Sequence, residues 1–330
     1  MDSLSWFLGI EIGGTKLQIA VGRGEGEPCR GFWRGDIDAA QRASRIHQQI
    51  IAGAGELLAQ ARLTRDQIAG VGIGFGGPVN TAHGRVVTSH QVDGWDNFPL
   101  VAWFAEHLGW PAVLHNDADT AAYAEAHFGA GRGFDPVLYV TVGSGIGGGL
   151  IVTGKIFRGS GAGAMEIGHL RPGLAPLGAP PHASVEEISS GFGIEERARK
   201  LIAESRNGTR AGAMLLELAG GDRNRVTTRM IAQAAAKGDA SCREMLESAT
   251  ETLGWALAQA IALVNPARIV IGGGVSLIGE EQFFEPVRRA CRESVFKPFA
   301  GIAEIVPAAL GEEVVIHGAL ALARAEFQKY

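Results

Sequence analysis

The sequence predicts an α/β protein of two similar lobes sharing a cleft, and three observations carry that expectation. At 330 residues the chain exceeds the size that one hydrophobic core usually serves. Strand-like and helix-like periodicities alternate along it. A strand, a glycine-rich polar turn and a returning strand occur twice, once at the start and once near residue 140, as an internal repeat would place them.

In order, Trp6 to Ile12 reads as a strand, Gly13-Gly14-Thr15-Lys16 as its turn and Leu17 to Val21 as the return. Ile46, Ile50, Ala54, Leu57 and Ala61 recur at the steps of a buried helical stripe. Val71 to Phe75 is a buried strand ended by Gly76-Gly77-Pro78, where pairing stops and backbone can approach something closely. Ala112 to His115 is a strand that delivers Asn116-Asp117 to an Ala-rich helix ending near Phe128, before Gly129. The second hairpin has strands Val137–Val142 and Leu150–Val152 around a turn over Gly143–Gly149. The last third reads as helices from Thr227 to Lys237 and from Ala240 to Val264, a strand Arg268–Ile271, a turn Gly272-Gly273-Gly274 and a terminal helix from Val314 to Phe327. The expected lobes are 1–117, completed by the C-terminal helix over 312–330, and a larger 118–311.

Composition excludes several classes. With 46% hydrophobic and 20% charged residues the chain is globular in type. A net charge of −5 with dispersed Lys and Arg gives no basic surface for nucleic acid. Cys29, Cys242 and Cys291 form no C-x-x-C pair, so neither a disulfide framework nor a thiolate metal site is expected, and a reducing cytoplasm fits. Asp2 stands where a secretory leader carries basic residues, and no apolar run approaches the ~18 residues of a membrane span.

The motifs point to phosphate and polyhydroxyl chemistry. Gly13-Gly14-Thr15-Lys16 offers exposed N–H groups, a hydroxyl and an ammonium, the set a polyphosphate clamp needs, although an ordinary hairpin turn would look similar. Gly143 to Gly148 and Gly72 to Gly77 both match G-x-G-x-x-G. The first turns back into a strand and the second meets Pro78, whereas a dinucleotide fingerprint runs into a helix, and a Walker A loop is absent. Asp117, at a strand end and a helix start, is either a general base or an N-cap. Glu166 and His169 are three apart in a loop-like context with no second E-x-x-H, and so read as hydrogen-bonding partners for a polyhydroxyl ligand or as a structural pair. Ser184 and Glu187 match a capping box, which leaves Glu186 for a ligand or a solvated face.

Taken in order, Gly9-Ile10-Glu11-Ile12-Gly13-Gly14-Thr15-Lys16, Gly76-Gly77-Pro78-Val79-Asn80, Trp95-Asp96-Asn97-Phe98-Pro99-Leu100, His115 to Ala122, Gly143 to Gly149 and Gly163 to His169 resemble the motif series of the ROK sugar kinases and sugar-responsive repressors. The resemblance implies a two-lobed actin-like ATPase (ribonuclease H-like) fold. It implies ATP-dependent phosphorylation of a glucose-like hexose, with N-acetylmannosamine, fructose, allose or glucosamine as other acceptors and a silent sugar sensor as the non-enzymatic alternative. A repressor is not expected, because the first motif begins at Gly9 and leaves no room before it for a helix-turn-helix.

Residue by residue, the resemblance implies Asp117 as base, with Gly77, Asn97, Asn116, Glu166, His169 and Glu186 around the sugar. Gly13, Gly14, Thr15 and Lys16, together with Thr141, Gly143, Ser144 and Gly145, would hold the ATP phosphates, and Gly273 and Gly274 would lie near the adenosine. Mg²⁺ would be held mainly through ATP and water, and a homodimer is the family habit. Two departures stand out. Glu11 replaces a frequent Asp, and the family's zinc-binding cysteines are missing from Gly173 to Glu186. No structural zinc is therefore expected, with Pro176, Pro180 and Pro181 stiffening the segment instead.

Overall fold

The computed structural model describes residues 5–38, 42–89, 91–160, 163–173, 182–204 and 212–328. Pro176, Pro180 and Pro181 lie outside them. The first half runs β1 (Trp6–Ile12), β2 (Lys16–Gly22), β3 (Gly31–Asp36), α1 (Ala43–Ala61), β4 (Ile68–Phe75), β5 (Val79–Asn80), β6 (Arg85–Val86), α2 (Leu100–Leu108), β7 (Ala112–Asn116) and α3 (Asp117–Phe128). It continues with β8 (Val137–Val142), β9 (Ile146–Val152), β10 (Lys155–Ile156), α4 (Val185–Ser189), α5 (Gly191–Glu204), α6 (Ala213–Leu218), α7 (Thr228–Ala236) and α8 (Ala240–Val264). It ends with β11 (Arg268–Gly272), α9 (Glu285–Ser294), β12 (Glu304–Pro307) and α10 (Val314–Phe327).

The chain divides into two compact units. The first comprises segments 1–139, 149–164 and 309–330, so it runs past the 117/118 boundary read from the sequence and takes in α3 and most of β9. The second comprises 140–148 and 165–308.

In the first unit a five-stranded sheet has the order β3-β2-β1-β4-β7. β1, β4 and β7 are parallel, and β2 and β3 are antiparallel additions. One face carries Ile10, Ile12, Leu17 and Ile19 against the α1 stripe of Ile46, Ile50, Ala54 and Leu57, all buried. The other face carries Phe7 and Ala20 against Ile316, Leu320 and Ala323 of α10. α10 lies so close to the sheet that a Cβ on Gly72 would collide with the Ala319 carbonyl, which is why a glycine interrupts the apolar run of β4. The register sets Ile12 beside Phe75 and Phe75 beside Asn116. Three parallel strands therefore end level, and each hands over to a polar segment there.

In the second sheet the order is β10-β9-β8-β11-β12. β9 begins at Ile146, so the expected turn over Gly143–Gly149 is only three residues long and the later glycines belong to the strand. The reason is proximity. A Cβ on Gly148 would strike the Met165 carbonyl, and one on Gly149 would lie 2.7 Å from Ala122 Cβ. α8 is the long helix of the second unit. Asp239 caps its start by accepting from the Cys242 N–H at 3.0 Å, and Asn265 ends it in the left-handed conformation at φ 43°.

Candidate active site

In the first unit the level strand ends gather three of the singled-out segments. After β1 the turn Gly13–Thr15 is closed by the Gly13 N–H donating to Lys16 O at 3.0 Å, and Thr15 is exposed. After β4 the Gly76 N–H donates to Ile12 O at 2.8 Å, joining the second segment to the first. After β7 the Asn116 side chain donates to Gly77 O at 3.1 Å, joining the third to the second.

Asn116, not Asp117, is the N-cap of α3. Its Oδ1 accepts from the N–H groups of Ala118 and Asp119, at 2.9 and 3.4 Å. Asp117 is the first helical residue. Its Oδ1 accepts from the Ala118 N–H at 2.8 Å, and its Oδ2 lies 3.4 Å from where a Cβ on Gly76 would stand, a point 3.5 Å from Gly13 Cα. Asp117 thus stands in the first turn of α3, where the helix leaves its first N–H groups without intrahelical partners.

Glu11 stands at the end of β1 and is buried. Lys16 Nζ lies 3.2 Å from its Oε1, while its Oε2 is buried with no hydrogen-bond partner. Burial pushes its carboxyl up to about 7, opposed by Lys16 and reinforced by the nearby charge of Asp117. The Lys16 ammonium is thus committed to Glu11, with Gln18 Oε1 a further 3.5 Å contact.

Asn97 lies between β6 and α2, its N–H donating to Val87 O at 2.9 Å. It sits at φ 50°, a left-handed conformation that Asn tolerates, and its Oδ1 accepts from Arg85 Nε at 2.7 Å. Behind it Trp95 is buried against Phe75 and Phe98. Upstream of Asn116, His115 is buried and accepts from Arg158 at 2.5 Å through Nδ1, and burial, with Arg158 second, lowers its pKa to about 3.

In the second unit a separate group forms around the end of β8. Gly143 N–H donates to Gly145 O at 2.9 Å, and Gly143 O accepts from the Gly191 N–H at 2.8 Å. Glu186 Oε2 accepts from the Ile146 N–H at 2.7 Å and fills the space beside Gly145. Ser144 is exposed and Thr141 half-buried. The capping box of Ser184 and Glu187 is present, which accounts for Glu187 and leaves Glu186 to brace the loop. Gly273 joins the same group. At φ 88° it passes within 2.5 Å, measured from an added Cβ, of the Val142 carbonyl, while Gly274 beside it is exposed to open space.

Glu166 and His169 bracket a single 3₁₀ turn, Ile167–His169, with both side chains exposed. The His169 N–H donates to Glu166 O at 3.0 Å. The turn presses on β9, since a Cβ on Gly168 would lie 2.5 Å from Ile146 O. Among the described residues no three His, Cys, Asp or Glu side chains form a metal-holding group. No helix is long and apolar enough to cross a membrane, again among the described residues.

A family model described as the ROK family matches residues 7–326. The chain belongs to the ROK family. A glucokinase of Streptomyces coelicolor is 30% identical over 324 residues, 96% of this chain and 97% of that protein. An N-acetylmannosamine kinase of Escherichia coli is 31% identical over 272 residues, 82% of this chain and 83% of that one. Among solved structures, a ROK family glucokinase from Streptomyces griseus in complex with glucose and AMPPNP superposes with a TM-score of 0.81 at 29% identity, covering 97% of this chain and all of that one. The fold is the two-lobed actin-like ATPase fold of ROK sugar kinases. Within that fold Glu11, named in the sequence only as a departure from the family's Asp, emerges as a buried carboxylate beside the hairpin turn, with burial raising its pKa to about 7. β1 is buried without a break from Phe7 to Ile12, so the signal was Glu11 standing inside an otherwise apolar strand run.

Proposed function

We propose that the protein transfers the γ-phosphoryl group of ATP to a hydroxyl of a glucose-like hexose, giving the sugar 6-phosphate and ADP. The observation that carries this reading is the identity of the α3 cap. Asn116 caps the helix, and Asp117 directs a carboxylate oxygen toward the strand-end glycines. In the proposed step the sugar oxygen attacks the γ-phosphorus, the bond from that phosphorus to the β-phosphate bridging oxygen breaks, and the hydroxyl proton passes to Asp117.

The remaining assignments follow the family resemblance and are proposed with it. Gly77, Asn97, Asn116, Glu166, His169 and Glu186 take the sugar. Gly13, Gly14, Thr15 and Lys16, with Thr141, Gly143, Ser144 and Gly145, take the phosphates, and Gly273 and Gly274 border the adenosine. The Lys16–Glu11 pair gives Lys16 a second task, neutralising a buried carboxylate. The orphaned Glu11 Oε2 suits an acceptor for the water shell of a nucleotide-bound Mg²⁺. When bound, that ion would neutralise charge on the β- and γ-phosphates. The working form is proposed as a cytoplasmic homodimer without structural zinc, and bound zinc by metal analysis would contradict that last point.

A second reading keeps the chemistry and changes the acceptor to N-acetylmannosamine, favoured by the 31% identity to the Escherichia coli kinase. The test is coupled ADP release with Mg-ATP across a panel of hexoses and N-acetylhexosamines. Turnover is expected with glucose or a close relative. If no sugar stimulates turnover while one raises Tm, the protein is a sugar sensor, because a ligand binding only the native state stabilises it.

A further inference from the structure

Two donors of one guanidinium close on Asn97. Arg85 Nε donates to Asn97 Oδ1 at 2.7 Å, and Arg85 Nη2 donates to the Asn97 backbone O. A guanidinium has no acceptor, so this fork decides which way the amide faces, with Oδ1 toward Arg85 and Nδ2 away from it. Among the described residues nothing accepts from that Nδ2, and the Asn97 side chain is exposed. The backbone beneath the fork is fixed as well. Asn97 sits at φ 50°, its N–H donates to Val87 O, and the Val86 N–H donates to Phe98 O, each at 2.9 Å. Thr88 Oγ1 donates to Asp96 Oδ1 at 2.7 Å. The same short stretch reaches the segment beside Asp117, because the Val87 N–H donates to Pro78 O at 2.9 Å and the neighbouring Gly77 O accepts from the Asn116 side chain at 3.1 Å. With the backbone held, rotation of the carboxamide is the freedom left to Asn97, since a terminal amide torsion is broad and two-fold. Arg85 removes it.

We infer that Arg85 is a positioning residue for the sugar: by occupying Asn97 Oδ1 it leaves the Nδ2 hydrogens as what Asn97 offers to a sugar oxygen. The inference rests on the proposed assignment of Asn97 to the sugar. An amide free to turn would present its donor and its acceptor alternately and would lose that freedom on binding. Pre-set by Arg85, it meets a hydroxyl oxygen that accepts, and that hydroxyl keeps its own proton for a different acceptor. Lysine at position 85 would serve less well. An ammonium is a point donor without the planar fork that spans the side-chain and backbone oxygens of one residue.

The test is a double-mutant cycle on sugar affinity, measured by calorimetry with glucose and with N-acetylmannosamine as probes. Arg85→Ala and Arg85→Lys are each made in the wild type and in Asn97→Ala, with AMP-PNP affinity and the sugar KM measured alongside. Arg85→Ala should weaken sugar affinity and raise the sugar KM by about three- to tenfold, the worth of one neutral hydrogen bond, with AMP-PNP affinity unchanged. Arg85→Lys should recover part of that loss. In the Asn97→Ala background Arg85→Ala should change sugar affinity by less than about twofold, because the residue it acts through is gone. A purely structural role would instead lower sugar affinity equally in both backgrounds, and that result would overturn the inference. So would an Arg85→Ala variant that binds sugar like wild type while Asn97→Ala binds it poorly, an outcome that leaves the sugar assignment of Asn97 standing. If Asn97→Ala keeps full sugar affinity, that assignment falls and this role falls with it. A wild type that binds neither probe removes the sugar reading of the whole site.

Discussion

Asn116 and Asp117 are adjacent polar residues at one helix start, and local chemistry suits either to cap it. Geometry separates them. Asn116 has the extended backbone of a cap, φ −64° and ψ 149°, and spends its amide on two α3 N–H groups and Gly77 O. Asp117, one residue into the helix, points an oxygen at the glycines instead. Asn116→Ala should therefore cost about 1–2 kcal/mol of stability. Asp117→Asn, which keeps the shape of the side chain and leaves the Asn116 cap in place, should cost less than Asn116→Ala. Thermal or denaturant unfolding decides it, and equal losses would return the cap to Asp117. Sequence spacing brought both residues to the right place but left their roles open, because the choice depends on one backbone ψ angle.

At the scale of elements, the segment Trp95–Leu100 is set by an aromatic cluster in which α1 takes part through His47. That ring stacks on Phe98 and Trp103, both at 4.6 Å, and meets Trp95 edge-on at 4.9 Å. Its Nε2 is buried without a partner, and burial, with His107 second, lowers its pKa to about 4 from 6.5. The depressed value means that the unfolded chain takes up this proton first. Stability from this group is complete above pH 6.5 and falls as pH drops from 6.5 towards 4. The facing groups are aromatic apart from His107, which stacks on Trp103 and adds to the same trend. His47→Phe keeps the stacking and should flatten unfolding free energy over that window. An unchanged slope would remove His47 from the account.

Elements with a strong local signal were legible: the first hairpin, the α1 stripe, the α3 strand-to-helix junction and the Ser184–Glu187 capping box. The glycines of β9 were not, because their small size serves a close approach to Met165 and α3, which no local pattern records.

At the scale of the whole chain, long-range closure completes the first unit. α10 returns to cover β1 and β4, and buried Glu125 on α3 fixes the chain just before it. Its Oε1 accepts from the N–H groups of Ala309 and Leu310, at 2.9 and 2.8 Å, and its Oε2 from Ala130 at 2.7 Å. The terminal helix was readable from its apolar periodicity, while the carboxylate that positions it was not, since a single Glu in an Ala-rich helix carries no pattern. What this closure supports is the level ending of β1, β4 and β7, and hence Asp117 beside the hairpin turn. The most direct test measures sugar-dependent ADP release and sugar affinity together for wild type and Asp117→Asn. The account predicts a loss of about 10² to 10⁴ in kcat with sugar affinity retained; an unchanged kcat would contradict it.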